Sequence, residues 1–225
     1  MFKKLFSKAN NNNRENAITK TLDVENFSAL KIRGPYVVVY KKGQKASVTA
    51  EMHEKHIEYL QVSVKGNVLY VDYTKQFVSM SGFGDFPKLY ITSPNLEEAS
   101  FEGAVKTTDW DTINADNFSL HAEGAVSISM HLVVVNLTIK AEGAAKFDLS
   151  GNASDVDITL EGAVKVNAKD LLTKRSKIHL EGAGSAKIAC SEHLDVHLEG
   201  IGFVKYYGSP AVNKVIEGLG RVSRG

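Results

Sequence analysis

The stretch HLEGAGSAKI (His179–Ile188) returns eighteen residues later as HLEGIGFVKY (His197–Tyr206). Working outward from it, Glu-Gly recurs at Gly103, Gly124, Gly143, Gly162, Gly182, Gly200 and Gly218, at intervals of 21, 19, 19, 20, 18 and 18 residues. A nearly constant period of this length is the mark of a repeat architecture. Within DVDITLEGAVKVNA the letters alternate: Val156, Ile158, Leu160, Val164 and Val166 take one face, and Asp157, Thr159, Glu161, Lys165 and Asn167 take the other. Period two means strand, with one face filling a core and the other meeting water. The 3.6-residue period of helical repeats is missing. The expected fold is therefore all-β, a single-stranded β-helix (β-solenoid) with about 18–21 residues per coil.

Neighbouring coils place equivalent residues about 4.8 Å apart. The repeat glutamates then form a column, which the spacing predicts to be offset by a basic column of Lys106, Lys146, Lys165, Lys187, Lys205 and Arg221. Glycine after each glutamate suits a corner where the backbone turns or approaches a neighbour closely. HLEG recurs, on this reading, because each coil turns the same corner.

The 225 residues are 43% hydrophobic and 24% charged, enough apolar material for a sizeable core. With 27 basic against 26 acidic residues the net charge is +1, which argues against nucleic acid as a partner. A single cysteine, Cys190, excludes an internal disulfide framework and sits at an inward, core-filling parity. The opening MFKKLFSKANNNNREN lacks the apolar run of a secretory signal or a membrane span. Residues 1–17 are expected to be a disordered leader. Phe2, Leu5 and Phe6 among lysines give residues 1–8 a weak membrane-surface contact as the sharper alternative.

From Ile18 to Asn95 the chain still reads as strands, with a turn at Lys65-Gly66-Asn67 and a short helical turn in EMHEKHIEYL. One continuous domain over 18–225 is expected, 18–98 being N-terminal strands and cap and 99–225 the Glu-Gly coils. The order FSALKIRGPYVVVY, LQVSVKGNVLYVDY, PKLYITSPNLEEASFEGAV and finally YYGSPAVNKVIEGLGRV resembles the putative auto-transporter adhesin, head GIN domain family, over roughly residues 18–225. The resemblance implies a right-handed β-helix, an envelope-associated protein of Bacteroidetes-like bacteria, an adhesive role and no established catalysis. No cofactor is expected.

The candidate sites follow from the coil geometry. His179, His197, Glu181 and Glu199 share one outer face on two adjacent coils, a donor set suited to zinc or a similar ion. A stacked ladder of hydrogen-bonded side chains is the plainer outcome for the same residues. Phe203, Tyr206 and Tyr207 on the last coils, with Phe83 in the loop from Ser79 to Phe86, are candidate contacts for a glycan or an envelope protein. Capping the open end of the solenoid is the alternative role for those aromatics.

Paired carboxylates about 5 Å apart on neighbouring coils also evoke a retaining glycosidase. Their sevenfold recurrence argues against a catalytic pair. His53-Glu54-Lys55-His56 misses the zincin spacing by one residue, and Gly82-Phe83-Gly84 lacks the Gly-Lys-Ser/Thr of a phosphate loop. The expected function is a noncatalytic, adhesin-like binding module. A membrane-surface scaffold that stacks end to end as a homo-oligomer, resembling bactofilins, and a polysaccharide-acting β-helix enzyme are the alternatives.

Overall fold

The computed structural model describes residues 17–74 and 86–225. Among the described residues the protein is all-β apart from one 3₁₀ turn, Glu54–Tyr59, which falls where a short helical turn is expected. The strands are β1 (Ala17–Asp23), β2 (Ala29–Lys42), β3 (Ser47–His53), β4 (Leu60–Lys65) and β5 (Val68–Tyr73). They continue with β6 (Lys88–Ser93), β7 (Glu98–Trp110), β8 (Ile113–Tyr207) and β9 (Ala211–Arg224). Together they make one open nine-stranded sheet in the order β1-β3-β6-β2-β7-β8-β9, with β5 on β2 and β4 on β5.

The N-terminal part mixes directions. β1 and β6 both run antiparallel to β3, and β4 runs antiparallel to β5. β2 is the hinge between this part and the repeats, because Gly34-Pro35 divides it into two halves. Ala29–Ile32 pair with β5 and Val37–Lys42 with β6, while the other edge lies along β7 throughout. A β-bulge interrupts that pairing between Val38 and Tyr40, where Asp109 takes a positive φ of 51°. Lys41 Nζ donates to both Asp109 (2.8 Å) and Asp111 (3.1 Å), and Trp110 Nε1 donates to the Val38 carbonyl (2.9 Å), so the bulge is held from three sides.

From β7 onward every pairing is parallel. Glu98 lies beside Ser119 and Gly103 beside Gly124, while His193 lies beside Ala211 and Gly200 beside Gly218. Strand β8 is one 95-residue run, and its own successive segments lie against one another at the glycine corners. The predicted alternation holds: Val156, Ile158, Leu160, Val164 and Val166 are all buried. One apolar cluster runs from Phe27 to Val222. Cys190 is buried within it, its thiol donating to the carbonyls of Lys174 (3.2 Å) and His193 (3.1 Å).

The corner glycines are held by close approach. All seven repeat glycines have positive φ, and a Cβ on any of them would run into the backbone of the preceding glycine of the column. For Gly162 the obstructing carbonyl oxygen of Gly143 is 2.6 Å away. The same column begins earlier than the Glu-Gly repeat, since Gly103 stacks on Gly34 of Arg33-Gly34-Pro35. There the column stops, because the space beside Gly34 is filled by the rings of Tyr36 and Tyr73.

Candidate functional site

The outer face of the repeats carries side chains that reach from one repeat to the next. Asn136 Nδ2 donates to Asn117 Oδ1 (2.8 Å), Asn167 Nδ2 to Asp148 Oδ1 (3.2 Å), and His131 Nδ1 meets Ser150 Oγ (2.9 Å). Arg175 grips Asp155 through two nitrogens (2.5 and 2.6 Å) and reaches Glu192 (3.3 Å). These hydrogen bonds hold the Asp155 carboxyl below its usual range. Burial pushes the Asp148 carboxyl up, but the hydrogen bonds from Lys146 and Asn167 outweigh it and leave it lowered.

The expected pairing of corner glutamates with the basic column finds a different expression. Glu102 pairs with Arg33 (2.7 Å) and Glu199 with His197 (3.0 Å), while Lys146 turns to Asp148 (2.5 Å). Lys146, four residues past Glu142, has Asp148 two residues away on its own face, a shorter reach than the corner itself.

The metal candidates gather in part. His179 and His197 stand one repeat apart with ring centroids 4.9 Å apart and planes at 69°. Ligand atoms of His179, His197 and Glu199 all lie within 4.8 Å of one another, and Glu181 is not among the converging three. Glu217, one repeat further on, brings Oε1 to 3.9 Å from His197 Nε2. Its place was legible in the eighteen-residue step from Glu199, with which it pairs in register.

At the C-terminal end Ile201, Phe203 and Leu219 are 55%, 60% and 75% exposed. Ile201 pairs in register with Leu219, and Phe203 lies two residues along on the same face, so the three form one apolar patch across β8 and β9. Tyr206 and Tyr207 are half-buried: Tyr206 packs against the core, and the Tyr207 ring lies against Gly225 with Lys205 Nζ 5.8 Å from its centroid. Phe203 is thus the one of the three aromatics that presents its ring to solvent. Leu219 was the residue to add, being eighteen positions beyond Ile201. Phe83 and the basic cluster of residues 1–8 lie outside the described residues. Among the described residues, no helix is long and apolar enough to cross a membrane.

No curated protein matches the chain. Among solved structures, a putative adhesin from Bacteroides fragilis superposes with a TM-score of 0.87 at 22% identity, covering 95% of this chain and 99% of that one. A putative lipid binding protein from Parabacteroides distasonis gives 0.70 at 14% identity over 95% and 98% of the two chains. A putative adhesin from Parabacteroides merdae gives 0.63 at 18% over 94% and 97%. At these identities the likeness is one of fold. The model of the putative auto-transporter adhesin, head GIN domain family matches residues 26–210, and the chain belongs to that family.

Proposed function

We propose that the chain is a noncatalytic, adhesin-like binding module of a bacterial cell envelope. Residues 18–225 are taken as one domain, a single-stranded right-handed β-helix with about 18–21 residues per coil. In it, 18–98 serve as N-terminal strands and cap and 99–225 as coils. Membership of the head GIN family supports the binding role, and the parallel register of β7, β8 and β9 supports the helical path.

The observation that carries the reading is the exposed patch of Ile201, Phe203 and Leu219. Large apolar side chains grouped on a rigid outer face mark a surface that another molecule covers. Two of the three are aliphatic, which favours an envelope protein over a glycan, because sugar rings stack on open aromatic faces. The Tyr207 ring, lying against Gly225, offers no such open platform.

The test is binding of labelled protein to isolated bacterial envelopes, untreated, protease-shaved or periodate-oxidised. Saturable binding that protease abolishes and Phe203→Ser with Leu219→Ser weakens is the expected result. Binding lost only after periodate would move the partner to glycan, and binding indifferent to both substitutions would remove the patch from the account.

A second reading, a scaffold that stacks end to end, is favoured by the place of β9 at the end of the strand order with Val215, Ile216 and Leu219 exposed. Sedimentation velocity over a wide concentration range separates the two. Long species growing with concentration speak for the scaffold, and one small species speaks for the binding module.

A further inference from the structure

The cluster around His197 has a feature that hydrogen bonding leaves unexplained. Its Nε2 is shielded from solvent and has no hydrogen-bond partner, although Glu199 Oε1 is only 3.0 Å away. An oxygen that close without a hydrogen bond lies off the axis along which the ring nitrogen donates. Two ligands of one ion stand to each other in this way, since each points at the ion and neither at the other. The ladders at His131–Ser150 and Asn136–Asn117 behave differently: there the cross-coil polar atoms do satisfy one another.

We infer that His179, His197 and Glu199 form a divalent transition-metal site, closed by Glu217, which clasps three successive coils at the C-terminal end. Two imidazole nitrogens and carboxylate oxygen are a zinc-type donor set, whereas calcium and magnesium call for oxygen ligands throughout. In a tetrahedral site the donors stand about 3.3 Å apart, given metal–ligand distances of about 2.0–2.2 Å. The ligand atoms start within 4.8 Å of one another, and each is carried on a side chain with rotatable bonds through which it approaches that spacing. Glu217, with two-thirds of its side chain exposed, is free to swing its carboxylate inward from 3.9 Å.

The role follows from the position. Strand β9 pairs on one side only, with β8, so an ion held jointly by His197 and Glu217 ties the last strand down. Ile201 and Leu219 begin two residues beyond Glu199 and Glu217, so the ion firms the strands that carry the exposed patch. The site stands independently of what that patch binds.

The experiment is calorimetric titration of the tag-free full chain with zinc chloride, with cobalt(II) absorption as a second readout. One ion per chain with a dissociation constant at or below about 10 µM is expected. His179→Ala, His197→Ala and Glu199→Gln should each weaken binding about 100-fold, and Glu217→Gln about tenfold. The Glu199→Gln variant keeps the side-chain shape, so the result stands even if a histidine variant folds poorly. The double variant His53→Ala/His56→Ala, whose rings sit 5.6 Å apart beside the 3₁₀ turn, should leave the affinity unchanged. Cobalt should show four-coordinate absorption that His197→Ala removes. No saturable binding below about 1 mM, or binding untouched by both His197→Ala and Glu199→Gln, would overturn the site. An unchanged affinity in Glu217→Gln would overturn the clasp on β9.

Discussion

The two ends of the sheet finish differently. At the N-terminal end the chain crosses back on itself: β6 lies parallel beside β2, β3 runs antiparallel between β6 and β1, and Phe27, Tyr36, Tyr40 and Phe101 fill the space beneath. Tyr36 and Tyr73 stack with centroids 5.0 Å apart, at the place where the glycine column stops. At the C-terminal end the parallel stack simply stops at β9, and Val215, Ile216 and Leu219 stand in solvent. A stack of parallel strands propagates indefinitely unless something bulky or antiparallel ends it. One end is closed over by antiparallel strands, and the other presents exposed apolar side chains on β9.

The largest effects should come from the shared core and the smallest from the open end. Phe147→Ala, in the buried core of the repeats, should cost about 3–5 kcal/mol in urea unfolding, while Leu219→Ser should change stability by no more than about 0.5 kcal/mol. A comparable loss at Leu219 would mean that the last strand carries the core as well, and the contrast between the ends would fail.

Next come the corners. Gly162→Ala meets a φ of +99° and a carbonyl oxygen 2.6 Å from the new Cβ, and should cost about 3 kcal/mol. Gly66→Ala, in the β4–β5 turn at φ +60° with nothing within 4 Å, should cost about 1 kcal/mol. Equal midpoints for the two variants would show that stacking between coils adds nothing to backbone strain.

The cap contributes a smaller, polar term. The buried Tyr40 hydroxyl meets Ser93 Oγ at 3.1 Å, with the Ser93 carbonyl at a longer 3.5 Å. Ser93→Ala should therefore lower stability by about 1–2 kcal/mol, and Tyr40→Phe on that background should restore part of it, as a double-mutant cycle would reveal.

A further small effect is in acid. The Lys42 amide and the Lys41 ammonium hold the Asp111 carboxyl below its usual range. A depressed carboxyl contributes stability above its unfolded pKa of about 4 and loses it as pH falls through the lower folded value. Asp111→Asn should flatten that acid limb of the urea midpoint and leave neutral behaviour nearly unchanged. An unaltered limb would place the acid sensitivity elsewhere.

Much of the repeat region was legible because its rule is local. Alternation placed Val156 to Val166 inside, and parity put Ile201 and Phe203 outside. The Glu-Gly spacing marked the corners, and the eighteen-residue step put His197 beside His179. What escaped depends on pairing between distant segments. Gly34 opens the corner column, yet it stands in Arg-Gly-Pro and lies 69 positions before Gly103, because β3 to β6 intervene. The antiparallel lid of β1, β3 and β6 leaves no periodic trace. Side-chain choice escaped as well: Lys146 prefers Asp148, and Glu181 stays outside the convergence that Glu199 joins, since rotamers decide both.

Binding at the open end is decided by comparing the two ends in one assay. Labelled protein would be titrated onto isolated bacterial envelopes as wild type, as Phe203→Ser/Leu219→Ser, and as Tyr90→Ser, which alters an exposed ring on β6 in the capped half. The expected result is saturable binding that the first variant loses by at least about tenfold and the second keeps. Equal binding by all three proteins, or a loss confined to Tyr90→Ser, would contradict it.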